Sequence, residues 1–204
     1  FKKQGGLFSY RANKGKKSVY EVNITLLEAF KESYSGKDKF IFERFILAHI
    51  ILFSMEGIPA VYVQILIGSK NDNSKVKKTK SNRSINRKNW NYEDLSKRIE
   101  KKSTINSKIF SFLNKLIILR KKQIAFHPNA TQFTLQLGDI FFGLWRQSID
   151  RSQSIFCISN LTNKKQKISL LDINLISTNH WFDILTKKRI NSIDGELLFK
   201  PYQT

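Results

Sequence analysis

Gly57-Ile58-Pro59-Ala60-Val61-Tyr62-Val63-Gln64-Ile65-Leu66-Ile67 is the stretch on which the fold turns. From Ala60 to Ile67 it is short, apolar and rich in β-branched residues, which predicts a strand buried on both faces, as in a parallel sheet. Immediately before it, Phe42, Phe45, Ile46, His49, Ile50 and Phe53 recur at helical spacing, and Gly57 and Pro59 end that helix. A helix followed so closely by such a strand is an α/β unit.

Working outward, residues 1–20 read as irregular, punctuated by Gly5-Gly6 and Gly15. Asn23 is placed to cap a short helix with Leu26, Leu27 and Phe30 on its apolar side. Residues 69–104 form a long polar stretch with a short helix expected from Tyr92 to Glu100. Ile105 to Ile124 reads as an amphipathic helix, with Ile109, Phe110, Leu113, Leu116, Ile117 and Ile124 inside and Lys108, Lys115, Lys121 and Lys122 outside. Pro128 stops its continuation. Beyond it the period becomes two. Strands are expected around Phe133–Leu137, Ile140–Arg146, Ser154–Ser159, Gln166–Leu170, Trp181–Leu185 and Glu196–Phe199, as in an antiparallel sheet or small sandwich.

The net charge of +20 raises a nucleic-acid partner. The excess is uneven, with 27 Lys and Arg against 10 Asp and Glu up to residue 125, and 9 against 6 afterwards. It accompanies abundant Asn, Ile and Phe, as in a proteome of adenine- and thymine-rich codons, so a solvated basic surface is the preferred reading. A basic binding module using Lys70–Lys88 is the alternative. No apolar run approaches the roughly 18 residues of a membrane helix. The opening Phe1-Lys2-Lys3-Gln4-Gly5-Gly6 lacks the apolar segment of a secretory leader. The lone Cys157 precludes an internal disulfide, and a cytoplasmic location is expected.

Candidate chemistry is sparse. His49 reads as a core histidine, His127 and His180 are isolated, and no cluster has metal-ligand spacing, so no metal and no cofactor are expected. Asp38 and Asp72 read as turn residues, Cys157 as a small hydrophobe, and Trp145 and Trp181 as sheet core.

Three stretches carry a resemblance. Gly5-Gly6-Leu7-Phe8-Ser9-Tyr10 leads to Tyr20-Glu21-Val22-Asn23; Gly57-Ile58-Pro59-Ala60-Val61-Tyr62 leads to Ile67-Gly68-Ser69-Lys70-Asn71-Asp72; Arg83-Ser84-Ile85-Asn86-Arg87 follows. In order and spacing they resemble the sucrose-phosphorylase branch of the α-amylase superfamily. The resemblance implies the C-terminal part of a (β/α)8 TIM barrel over residues 1–126 and a small antiparallel β-domain over 127–204. It implies a retaining α-glucoside phosphorylase, acting on an α-glucoside and inorganic phosphate. Its catalytic carboxylates belong to an N-terminal barrel portion expected upstream of Phe1, so no catalytic residue is assigned here. Arg83 matches an arginine that holds the bound glucose. Tyr20 and Glu21 match a mobile loop facing the acceptor, where glutamate instead of glutamine resembles members acting on glucosylglycerate or phosphorylated sucrose. Asn86 and Arg87 are expected to order their loop. Hydrolysis of the α-glucosidase type is the alternative within the enzyme class.

Overall fold

The decisive stretch is not a strand. In the computed structural model, residues 58–62 form no regular element, with Tyr62 extended, and Val63–Leu66 turns into a one-turn helix. Tyr62 and Val63 are exposed, and Ile67 is the one apolar residue of the run that is buried. An apolar run specifies burial but not its geometry; a strand exists only where another strand accepts its backbone bonds. No sheet among the described residues includes this run. Its amides close locally instead, Ile65 and Leu66 onto the Tyr62 carbonyl and Ile67 onto Val63.

The structure describes residues 1–13, 15–175 and 181–204. In chain order its elements are β1 (Leu7–Asn13), β2 (Lys16–Asn23), α1 (Leu26–Ala29), β3 (Glu32–Ser33), β4 (Gly36–Lys37), α2 (Ile41–Ser54), α3 (Val63–Leu66), α4 (Asn73–Thr79), α5 (Tyr92–Glu100) and α6 (Ile105–Lys121). There follow β5 (Thr131–Leu135), β6 (Phe141–Gln147), β7 (Ser154–Asn160), β8 (Gln166–Ser169), β9 (Phe182–Asp183), β10 (Lys188–Arg189) and β11 (Glu196–Phe199). Two units form: Phe1–Phe45 with Val61–Phe112, and Ile46–Ala60 with Leu113–Thr204.

In the first unit, the stretch read as irregular is an antiparallel hairpin, β1 with β2. Both strands are largely exposed, so neither carries the apolar alternation that betrays a half-buried strand. Asn23 does not cap α1. It is buried in β2, and Thr25 precedes the helix, its amide and hydroxyl both donating to Asn71 Oδ1 at 2.8 and 3.0 Å. The polar stretch contains α4 in addition to the expected α5. Asp72 caps α4 by accepting from the Lys75 amide at 2.9 Å, and Lys80 closes it in the left-handed conformation. A 3-10 turn over Asn82–Asn86 follows, with Ile85 fully buried. Asn106 Nδ2 donates to the Ile67 and Gly68 carbonyls at 2.7 and 3.2 Å, pinning the end of α3. Gly68 has φ +59°, and a Cβ there would stand 2.7 Å from Ile109 Cδ1, so any other residue is strained and must displace Ile109.

In the second unit, β5, β6 and β7 form an antiparallel sheet, and β8 pairs with β11. Alternation along β7 serves two cores: Ile155 and Cys157 pack with Ala125, Phe126 and Leu144, whereas Ile158 packs with Phe141, Ile168, Leu170 and Ile173. Aromatic rings form a row, Phe133 on Trp145 at 4.7 Å, Trp145 on Phe156 at 5.7 Å and Phe156 on Trp181 at 5.0 Å. The strand expected at Trp181–Leu185 is reduced to β9. Ile124, placed on the inner side of α6, lies beyond that helix and is half exposed, because the chain tightens there into a 3-10 turn that buries Ala125 and Phe126.

Two buried arginines close the end of α2. Arg120 donates to the carbonyls of Phe53, Met55 and Gly57, and Arg146 to those of Ser54, His127 and Ala130. The unpaired carbonyls and negative end of a helix dipole attract such cations. Neither guanidinium has a carboxylate partner among the described residues. Burial depresses the pKa of both, and at Arg120 the charge of Arg146 adds to the lowering.

Candidate substrate-binding site

Of the three residues expected to bind substrate, the fold brings two into contact. Glu21 lies on β2 and Arg83 on the 3-10 turn. Arg83 Nε donates to both Glu21 carboxylate oxygens at 3.0 and 3.1 Å. Its terminal amino groups make no hydrogen bond among the described residues and remain available as donors.

A β-bulge sets the geometry. Ser9 pairs with Glu21 and Tyr10 with Val19, so Tyr20 is the extra residue between them. The bulge shifts the register between the outer hairpin and the end that carries Glu21. Tyr20 is half exposed, and the Arg11 guanidinium sits over its ring at 5.3 Å. Tyr20 thus stands beside the ion pair without a hydrogen bond to it among the described residues.

The pair is anchored from both sides. Asn82, next to Arg83, donates to the Phe8 carbonyl at 3.1 Å and reaches Ser9 Oγ at 3.5 Å. Asn23, two residues from Glu21, donates to Ser9 Oγ at 2.9 Å. Hydrogen bonding from Arg83 holds the Glu21 carboxyl below the ordinary glutamate range, against a smaller effect of burial, and Glu21 in turn raises Arg83. Chemically this is a carboxylate locked in its charged form, with a guanidinium whose outer edge can meet hydroxyl or anionic oxygens.

The other candidates are elsewhere. Asp38 accepts from Arg44 Nη1 at 2.7 and 2.8 Å, and Asp72 caps α4, so the two form no catalytic pair. Asn86 lines an apolar cavity of about 360 Å³ with Val22, Leu27, Phe45, Tyr62 and Ile65. Arg87 offers its carbonyl to Lys75 Nζ. A second cavity of about 440 Å³, in the other unit, is lined by Phe126, Phe156, Cys157 and Ile184 among others. His49 is buried in α2, His127 is exposed, and His180 lies outside the described residues. Among the described residues no group of three metal-ligating side chains gathers, and no helix is long and apolar enough to cross a membrane. Sequence reasoning missed Ser9, Asn23 and Asn82 as supports of the site. Small polar residues carry no signal of this kind until strand register is known.

No family model matches the chain. By sequence it is similar to glucosylglycerate phosphorylase of Escherichia coli (strain K12), 30% identical over 202 residues, 98% of this chain and 34% of that protein. It is likewise similar to glucosylglycerate phosphorylase of Spirochaeta thermophila, 31% identical over 166 residues, 81% of this chain and 28% of that protein. Among solved structures, sucrose 6F-phosphate phosphorylase from Thermoanaerobacter thermosaccharolyticum superposes with a TM-score of 0.60 at 25% identity, covering 78% of this chain and 29% of that one. AmyP in complex with maltose superposes with a TM-score of 0.61 at 16% identity, over 79% of this chain and 33% of that one. The chain therefore has the fold of part of an α-amylase-superfamily enzyme. More narrowly, it is a relative of the phosphorylases in the sucrose-phosphorylase branch of that superfamily, as its motifs implied. It spans about a third of the length of the curated relatives it matches.

Proposed function

We propose that this chain is the C-terminal portion of a retaining α-glucoside phosphorylase that works in the cytoplasm and transfers a glucosyl group to inorganic phosphate. In this reading residues 1–126 complete a (β/α)8 barrel, and residues 127–204 form the β-domain that follows it. The run at 58–62, which has no strand neighbour among the described residues, gains its neighbours from the remainder of the barrel. That remainder supplies the aspartate nucleophile and the glutamic acid/base. The aspartate displaces the aglycone from the anomeric carbon while the acid protonates the departing oxygen. Phosphate then displaces the aspartate, releasing glucose 1-phosphate.

The role of this chain is to hold substrate. Arg83 offers its outer guanidinium edge to the glucose hydroxyls, and Glu21 and Tyr20 face the acceptor group. The supporting observation is the Glu21–Arg83 pair: two motif segments 62 residues apart meet at 3.0 Å. Glutamate at position 21, in a chain whose sequence relatives are glucosylglycerate phosphorylases, favours glucosylglycerate over sucrose as the glucoside.

The test is release of glucose 1-phosphate from glucosylglycerate and phosphate. The isolated chain is expected to release none. Joined to the N-terminal portion of the Escherichia coli relative, it is expected to turn over, and Arg83→Ala is expected to abolish most of that activity. Turnover by the isolated chain, or a fully active Arg83→Ala chimaera, would refute the assignment.

A further inference from the structure

A hydroxyl has one proton to give and two lone pairs with which to accept. At Ser9 both lone pairs are addressed by amides. Asn23 Nδ2 donates to its Oγ at 2.9 Å, and Asn82 Nδ2 approaches it at 3.5 Å. Neither Nδ2 can act as an acceptor, so the Ser9 proton is free for the remaining direction. Directly across the hairpin from Ser9, on the same face, stands Glu21.

We propose that Ser9 is the positioning residue of the Glu21–Arg83 pair: two amides saturate its oxygen, and its single proton is thereby turned onto the Glu21 carboxylate, fixing that group against Arg83 Nε. Two further observations agree. Asn23 is almost fully buried and cannot turn away to solvent, so its amide is a fixed donor. The Glu21 carboxyl is held in its charged form first by Arg83 and then, more weakly, by Asn23 and Ser9. Because Asn82 adjoins Arg83 on the 3-10 turn and also bonds the Phe8 carbonyl, the same hydroxyl ties the turn to the hairpin. Ser9 thus acts through Glu21 and makes no hydrogen bond to Arg83 among the described residues. Its importance for catalysis rests on the phosphorylase reading, but its effect on the pair does not.

The test needs no sugar. Phenylglyoxal attacks the neutral guanidine, so a carboxylate that stabilises the guanidinium slows modification. The rate at Arg83 is followed by peptide mass spectrometry in the parent chain and in Ser9→Ala, Ser9→Thr and Glu21→Gln. Arg11, on the same strand as Ser9, reports on the hairpin as a whole. Ser9→Ala is expected to raise the Arg83 rate about two- to five-fold, the range that loosening an exposed ion pair spans. Ser9→Thr, which restores a hydroxyl, is expected to return it to the parent value, while Arg11 stays constant. An Arg83 rate unchanged in Ser9→Ala would overturn the proposal, as would an equal rise at Arg11 or no rise in Glu21→Gln. Phosphorolysis by the chimaera is read separately, so failure of one proposal does not mimic failure of the other.

Discussion

Replacing Arg146 by alanine probes how the second unit holds the end of α2. The side chain is fully buried and donates to the carbonyls of Ser54, His127 and Ala130 at 3.3, 3.1 and 3.3 Å. Stranding these acceptors costs about 1 kcal/mol each. The vacated space adds about 1–2 kcal/mol, as for other large-to-small changes in a packed interior. Against this, the substitution removes a buried charge whose Nε has no partner and relieves the repulsion felt by Arg120, a gain of about 1–2 kcal/mol. The net loss is about 3 kcal/mol, or a fall in Tm on the order of 10 °C. Thermal unfolding followed by the fluorescence of Trp145 and Trp181, both in this unit, measures it. Arg146→Met keeps the volume but not the donors, and is expected to melt between alanine and the parent. A methionine variant melting at or above the parent would show that desolvation of the guanidinium outweighs its carbonyl bonds, and the reasoning would fail.

Gly68→Ala combines a left-handed φ with a 2.7 Å approach to Ile109 Cδ1 and is expected to cost about 2–3 kcal/mol, with partial recovery when Ile109→Val is added, as read by urea unfolding. The Asp38 carboxyl is held below its ordinary 3.8 chiefly by hydrogen bonding from Arg44. A depressed carboxylate contributes stability that is complete above its unfolded value and is lost as pH falls through the folded one. The first unit is therefore expected to lose stability below pH 3.8, and Asp38→Asn to flatten that acid limb; unfolding midpoints compared at neutral and strongly acidic pH check both.

The elements legible in the sequence were those with a buried face and a polar one. Ile109, Leu113 and Leu116 announced α6 because they repeat along one side of it, β5 showed through the alternation of Phe133 and Leu135, and β6, β7 and β11 through short runs set between turns. The hairpin β1–β2 escaped because most of its side chains face solvent, so no period survives. Helix α4 escaped for a related reason: it buries no residue, and its only signal was Asp72 standing three residues before Lys75. The misreading of Ala60–Ile67 is of another kind, since apolarity there was plain but no strand among the described residues accepts the run's backbone bonds. At the site, Arg83, Tyr20 and Glu21 were named by resemblance. That Glu21 meets Arg83, while Tyr20 turns to Arg11, follows from the bulge and the 3-10 turn, which no motif spells out.

The extra residue in the hairpin makes its length matter more than its composition. Most substitutions at Tyr20 keep the extra residue, but deleting any single residue between Lys16 and Tyr20 would let the pairing close without its irregularity and remove the local bend beside Glu21. Lineages carrying this hairpin should therefore conserve the residue count of β2 even where its outward side chains, other than Ser9, Glu21 and Asn23, drift.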